Sequence, residues 1–155
     1  MAVSIAEEAI QNLEVTKDER IRASIDIVFE TLLEQLGPLN ERADGIPLAM
    51  KIEPWPGGRW YRDLGNNTGH FWGHVQAIKP PTLLEITGPL FMSFPAVSNV
   101  QYRLTAEGNE TRLQFRHSAM GVFPPDLREN VGKGWGMLFD RIREAAERKG
   151  SGGKK

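Results

Sequence analysis

The most constraining feature of this chain is a change of period. From residue 48 to residue 118 the apolar residues recur in short alternating runs, and after Pro124-Pro125 they recur at helical spacing to about Arg148. The strand-like runs cover residues 48–54, 59–64, 71–78, 83–87, 98–106 and 111–118. Most are bounded by turn formers: Trp55-Pro56-Gly57-Gly58, Gly65-Asn66-Asn67-Thr68-Gly69, Lys79-Pro80-Pro81 and Glu107-Gly108-Asn109-Glu110. The last two runs form the clearest hairpin. Val100, Tyr102 and Leu104 alternate with Gln101, Arg103 and Thr105, while Leu113, Phe115 and His117 alternate with Arg112, Gln114 and Arg116, so each strand has an inward and an outward face. The closing helix carries Leu127, Val131, Trp135, Leu138, Phe139, Ile142 and Ala146 on one stripe.

The first third of the chain adds smaller elements. Residues 4–13 read as an amphipathic helix, with Ser4 and Glu7 as a capping box and Ile5, Ala9, Ile10 and Leu13 on one side. Residues 14–23 alternate loosely and suit a strand with one wet face. A helix over residues 27–36 follows, capped by Ser24 or Asp26, buried through Ile25, Phe29, Leu32, Leu33 and Leu36, and stopped by Gly37-Pro38. Residues 39–47 read as a connection. Three glycines in the last helix, Gly132, Gly134 and Gly136, predict a kink or a close contact with another backbone. Residues 149–155 read as a disordered tail. The 155 residues suffice for one domain, here residues 14–148, with residues 1–13 as a helical extension. The expected class is α+β, with a bent antiparallel sheet of about six strands wrapped around the long C-terminal helix. A helix laid across such a sheet leaves room for an apolar pocket between them.

Short motifs give this order a resemblance. They are Ser24-x-x-x-Val28-Phe29-Glu30-x-Leu32, Pro56-Gly57-Gly58-Arg59-Trp60, Gly73-x-Val75 with Pro80-Pro81-x-Leu83-Leu84, Thr111-Arg112-Leu113-x-Phe115-x-His117-Ser118, and Gly134-Trp135-x-x-Leu138-Phe139. From about Arg20 to Arg148 the chain resembles the helix-grip, START-like superfamily abbreviated SRPBCC, and within it the heat-shock protein 90 ATPase activator-like branch. The resemblance implies a helix-grip (START/Bet v-like) fold. It leaves activity open, because relatives include lipid and hormone binders, ring-cyclising enzymes and chaperone regulators. This chain departs from the pattern at residues 4–13, at Arg62, and in the apolar run Phe91-Met92-Ser93-Phe94-Pro95.

Charge names no partner. Nineteen basic and 20 acidic residues leave a net charge of −1 without a basic field for nucleic acid. No apolar run reaches the ~18 residues of a membrane span, and Glu7 and Glu8 interrupt any signal-peptide core, so a cytoplasmic location is expected. With no Cys, disulfides, thiolate catalysis and Cys-ligated zinc are excluded. His70 and His74 lie four apart in a strand-like run, which separates them by about 13 Å at ~3.3 Å per residue, so no metal site is expected. No catalytic constellation or cofactor motif emerges either. Gly132-x-Gly134-x-Gly136 falls in a helix rather than after a strand, and no Gly-x-Ser-x-Gly elbow occurs.

Binding residues can still be nominated. Trp60, Phe71, Val75, Leu84, Tyr102, Phe115, Trp135, Leu138 and Phe139 are expected to line a pocket or its adjacent core. His117 shares the inward face of its strand and serves either as a satisfied core imidazole or as a polar handle. Arg62 shares strand parity with Trp60; buried without an Asp or Glu partner, it would favour an anionic amphipathic ligand. Phe91, Met92 and Phe94 sit in a Pro-interrupted loop that forms either a lid or a contact with a chaperone or a second copy. The expected function is binding of a small, largely hydrophobic molecule. The rivals are a chaperone-regulating interaction module and a cyclase- or dehydratase-type enzyme using the same cavity.

Overall fold

The computed structural model describes residues 2–152. Its elements are β1 (Gln11–Ile21), α1 (Ile25–Leu36), β2 (Met50–Ile52), β3 (Arg59–Gly65), β4 (Thr68–Lys79), β5 (Leu83–Gly88), β6 (Ala96–Glu107), β7 (Glu110–Gly121) and α2 (Leu127–Gly150). The strands form one seven-stranded antiparallel sheet in the order β1-β7-β6-β5-β4-β3-β2. The helix-grip architecture holds, with seven strands where about six were expected.

The β6–β7 hairpin pairs Val100 with His117, Tyr102 with Phe115 and Leu104 with Leu113, all on the buried face. Gly108 turns the hairpin at φ 65°, a backbone region that costs a side chain and favours glycine. Helix α1 begins where Ser24 Oγ accepts the Ile27 N–H and ends at Gly37, whose N–H returns to the Leu33 and Glu34 carbonyls. Val28, Phe29, Leu32 and Leu36 bury its apolar side. Helix α2 buries Val131, Trp135, Leu138, Phe139, Ile142 and Ala146. Trp60 fastens the two layers, its indole N–H donating to the Leu36 carbonyl at 2.8 Å across 24 residues of chain.

Three expectations are corrected. Residues 4–13 are not helical: 2–10 carry no secondary structure, and Gln11, Asn12 and Leu13 pair with Gly121, Met120 and Ala119 of β7. An isolated helix of that length is marginal in water, and Ile5, 92% exposed, has no surface to cover. Pairing with β7 instead buries Leu13 and satisfies the β7 backbone. Residues 149 and 150 are not part of a disordered tail, because α2 runs through Gly150 and Lys149 Nζ bonds Glu34 Oε1 at 2.7 Å. Gly153, Lys154 and Lys155 lie outside the described residues. Lastly, Gly132, Gly134 and Gly136 make no close backbone contact; nothing lies within 4 Å of where a Cβ would stand, and α2 is unbroken there.

Candidate functional site

The hollow between sheet and α2 is occupied first by aromatic rings. Moving inward from β3, ring centroids stand 5.0 Å apart for Trp60–Trp72, 5.6 Å for Trp72–Phe91, 6.0 Å for Phe91–Trp135, 4.8 Å for Trp135–Phe115 and 5.1 Å for Phe115–Tyr102. Phe139 closes on Phe115 at 5.0 Å. Each separation falls in the range favoured by aromatic pairs. The inner end of this chain is solid: Val75, Leu84, Tyr102, Phe115, His117 and Phe139 are buried.

His117 belongs to that solid end. Its Nδ1 lies 2.9 Å from Trp135 Nε1 and its Nε2 lies 2.9 Å from Ser98 Oγ. An indole N–H only donates, so Nδ1 must accept, and the imidazole is neutral with its proton on Nε2. Burial also pushes its pKa from 6.5 down to about 4. Of the two readings of His117, the structure supports the satisfied core imidazole. Tyr102 has a buried hydroxyl with no hydrogen-bond partner among the described residues, and burial raises its pKa.

The outer end of the aromatic chain stays open. A pocket of about 320 Å³ lies between the C-terminal end of α1, the following connection, the β3–β4 tryptophans and the first half of α2. Trp60, Trp72, Phe91, Trp135 and Leu138 supply its walls, joined by Leu36, Leu48, Leu127 and Val131. Asn40, Glu41, Asn130 and Arg141 are its polar members. The indole N–H groups of Trp60, Trp72 and Trp135 are already spent on Leu36 O, His70 Nδ1 and His117 Nδ1. Three tryptophans therefore present apolar surface and offer the pocket no free donor.

Of the nominated residues, Trp60, Trp135 and Leu138 meet at this pocket, while Val75, Leu84, Tyr102, Phe115, His117 and Phe139 pack behind it. Phe71 is 38% exposed on the opposite face, beside His74. The cause is a bulge: Trp60 pairs with Gly73 and Tyr61 with Phe71, leaving Trp72 as the extra residue. Parity therefore switches at Trp72, which takes the inward place that alternation assigns to Phe71. The same switch separates the histidines, His70 joining Trp72 and His74 joining Phe71. Arg62 lies between Met50 and His70 in the sheet, half-buried, with its Nε lacking a hydrogen bond. It does not line the pocket. In the 91–95 loop, Phe91 is half-buried against Trp72 and Trp135, Met92 turns into the core, and Phe94 remains 39% exposed. Arg141, which sequence reasoning passed over, sits three residues beyond Leu138, a spacing that places both on one helix face.

A family model described as Activator of Hsp90 ATPase homolog 1-like protein matches residues 43–147. The chain belongs to that family. Solved structures agree on the fold. A protein from Rhizobium leguminosarum is similar with a TM-score of 0.73 and 15% identity, over 92% of this chain and 99% of that one. CalU16 from Micromonospora echinospora gives 0.59 and 21%, over 92% and 88%, and Ara h 8.0201 gives 0.64 and 13%, over 89% and 98%. None of the curated proteins matches the sequence. The segment matched to the Activator of Hsp90 ATPase homolog 1-like family holds Leu48, Trp60, Trp72, Phe91, Trp135 and Arg141, while Leu36, Asn40 and Glu41 complete the pocket from outside it. Among the described residues no helix is long and apolar enough to cross a membrane.

Proposed function

We propose that this domain is a receptor for a small, largely apolar molecule held against Trp60, Trp72 and Trp135. The carrying observation is the 320 Å³ pocket itself, whose walls are hydrocarbon and aromatic ring with a few polar groups among them. That volume lies at the lower end of the roughly 300–1,000 Å³ typical of ligand sites. A guest burying about 150 Å² of apolar surface gains about 4 kcal/mol at ~25 cal/mol per Å². Phe91 forms one side of the pocket, against Trp72 and Trp135.

Calorimetric titration with small neutral aromatic and aliphatic compounds tests the reading, with Gly134→Leu as the blocking variant. Gly134 lines the pocket and has open space where a side chain would go. Leucine there occupies the cavity while favouring the helix by up to about 1 kcal/mol. Binding to the wild type that disappears in a folded, equally or more stable Gly134→Leu protein supports the pocket. Equal binding to both proteins, or none across the panel, overturns it.

The family match favours a second reading, regulation of a chaperone ATPase. Stimulation of the chaperone's ATPase by the purified domain is the deciding assay. The enzymatic rival gains nothing from His117, whose two nitrogens are both engaged by neutral neighbours and whose pKa is far below neutrality.

A further inference from the structure

Among the described residues one cation lines the pocket, and two amide oxygens hold it. Arg141 donates from Nε to Gln35 Oε1 at 3.1 Å and from Nη2 to Asn40 Oδ1 at 3.2 Å. Gln35 and Asn40 are both buried, and Asn40 is itself fixed by bonds to Leu36 O and the Glu41 N–H. The guanidinium is thus oriented by two neutral amide oxygens. Among the described residues no carboxylate forms an ion pair with it, in contrast to Arg59 on Glu53, Arg112 on Asp18 and Arg143 on Glu19. Glu41, the carboxylate that shares the pocket lining, acts on Arg141 only from beyond ion-pair distance. Burial lowers the Arg141 pKa against the opposing pull of the Glu41 carboxylate, so the charge has lost solvation without gaining a hydrogen-bonded ion pair.

A fixed, partly desolvated guanidinium beside an aromatic wall is complementary to a carboxylate attached to an apolar body, which it can engage in charge-assisted hydrogen bonds. Building on the pocket reading, we infer that the ligand is a small carboxylic acid, its apolar body against Trp60, Trp72 and Trp135 and its carboxylate on Arg141. Arg62, which strand parity nominates for this role, does not line the cavity. About ten water molecules' worth of space limits the guest to an acid of one or two rings or a short chain.

The test compares 2-naphthoate with the shape-matched neutral 2-naphthamide by calorimetry at neutral pH and physiological salt. Wild type is expected to bind the acid about tenfold more tightly than the amide, the scale of one charge-assisted contact. Arg141→Gln is expected to bring the acid to the affinity of the amide while leaving the amide unchanged. Because that substitution also disturbs Gln35 and Asn40, Glu41→Gln is the second variant: removing the competing negative charge is expected to tighten the acid severalfold and leave the amide alone. Equal affinity for both compounds in the wild type, or no response of the acid in Glu41→Gln, overturns the charge assignment and leaves the pocket standing. Binding of neither compound overturns this assignment together with the pocket reading beneath it.

Discussion

His117 carries a quantitative consequence for stability in acid. Its pKa is about 4 in the folded chain against 6.5 unperturbed, because it is buried and its Nδ1 is committed to accepting the Trp135 indole proton. Between those values the unfolded chain takes up a proton that the folded chain refuses. The folded state therefore keeps full stability above about pH 6.5 and loses it as pH falls toward 4, by about 3 kcal/mol in all. From pH 7 to pH 5 the same pKa values give a loss of about 2 kcal/mol. Urea unfolding at the two pH values measures it, in wild type and in His117→Gln, which stays neutral and keeps an amide oxygen and nitrogen for Trp135 and Ser98. The variant is expected to start less stable at pH 7 and to lack the 2 kcal/mol decline. Subtraction removes every titrating group not at position 117, so an equal decline in both proteins refutes the assignment of a neutral, Nε2-protonated core imidazole.

Two further substitutions test how the filled and open ends of the aromatic chain differ. Tyr102→Phe deletes a buried hydroxyl without a hydrogen-bond partner among the described residues, so urea unfolding should show a change between zero and about 1 kcal/mol of stabilisation. A loss above that size means the hydroxyl has a partner. Trp60→Phe removes the 2.8 Å bond to Leu36 O and opens space beside the pocket, with an expected cost of about 2–4 kcal/mol by the same assay. A cost below 1 kcal/mol refutes the view that this indole fastens α1 to the sheet.

Much of the fold is legible in the sequence because its strands and helices carry their own periods. The β6–β7 hairpin is written in the alternation around Tyr102 and Phe115, and α2 in the stripe from Val131 to Ala146. Two kinds of information are missing from such patterns. One is competition: residues 11–13 have helical spacing, yet the unpaired end of β7 claims them for the sheet. The other is register: a single extra residue at Trp72 inverts the faces of β4, so Phe71 is nominated for the pocket that Trp72 in fact lines. The site suffers more than the fold, because a one-residue slip leaves a strand a strand but exchanges the side chains it offers. Arg141 was hidden for a different reason. Its significance lies in Gln35 and Asn40, about a hundred residues away in sequence, and in the absence, among the described residues, of a carboxylate ion-paired to it.

The pocket and the solid core are made by the same helix. Val131, Trp135, Leu138 and Ile142 fill the hollow from α2, whereas Gly134, exposed at the pocket rim, fills nothing; beyond its own helix, no atom lies within 4 Å of where its Cβ would stand. A glycine in mid-helix costs about 1 kcal/mol relative to alanine, and here no close backbone contact repays it. What the glycine leaves is space, bounded by three indoles whose N–H groups are all engaged elsewhere and by a guanidinium without an ion pair among the described residues. Gly134 is solvent-exposed, so it leaves that space open at the rim of the pocket rather than inside the packed core. The open position at Gly134 and the guanidinium of Arg141, held by two amide oxygens, border one cavity, and it is this pairing of apolar space with a fixed positive charge that the inference of a carboxylic-acid guest rests on.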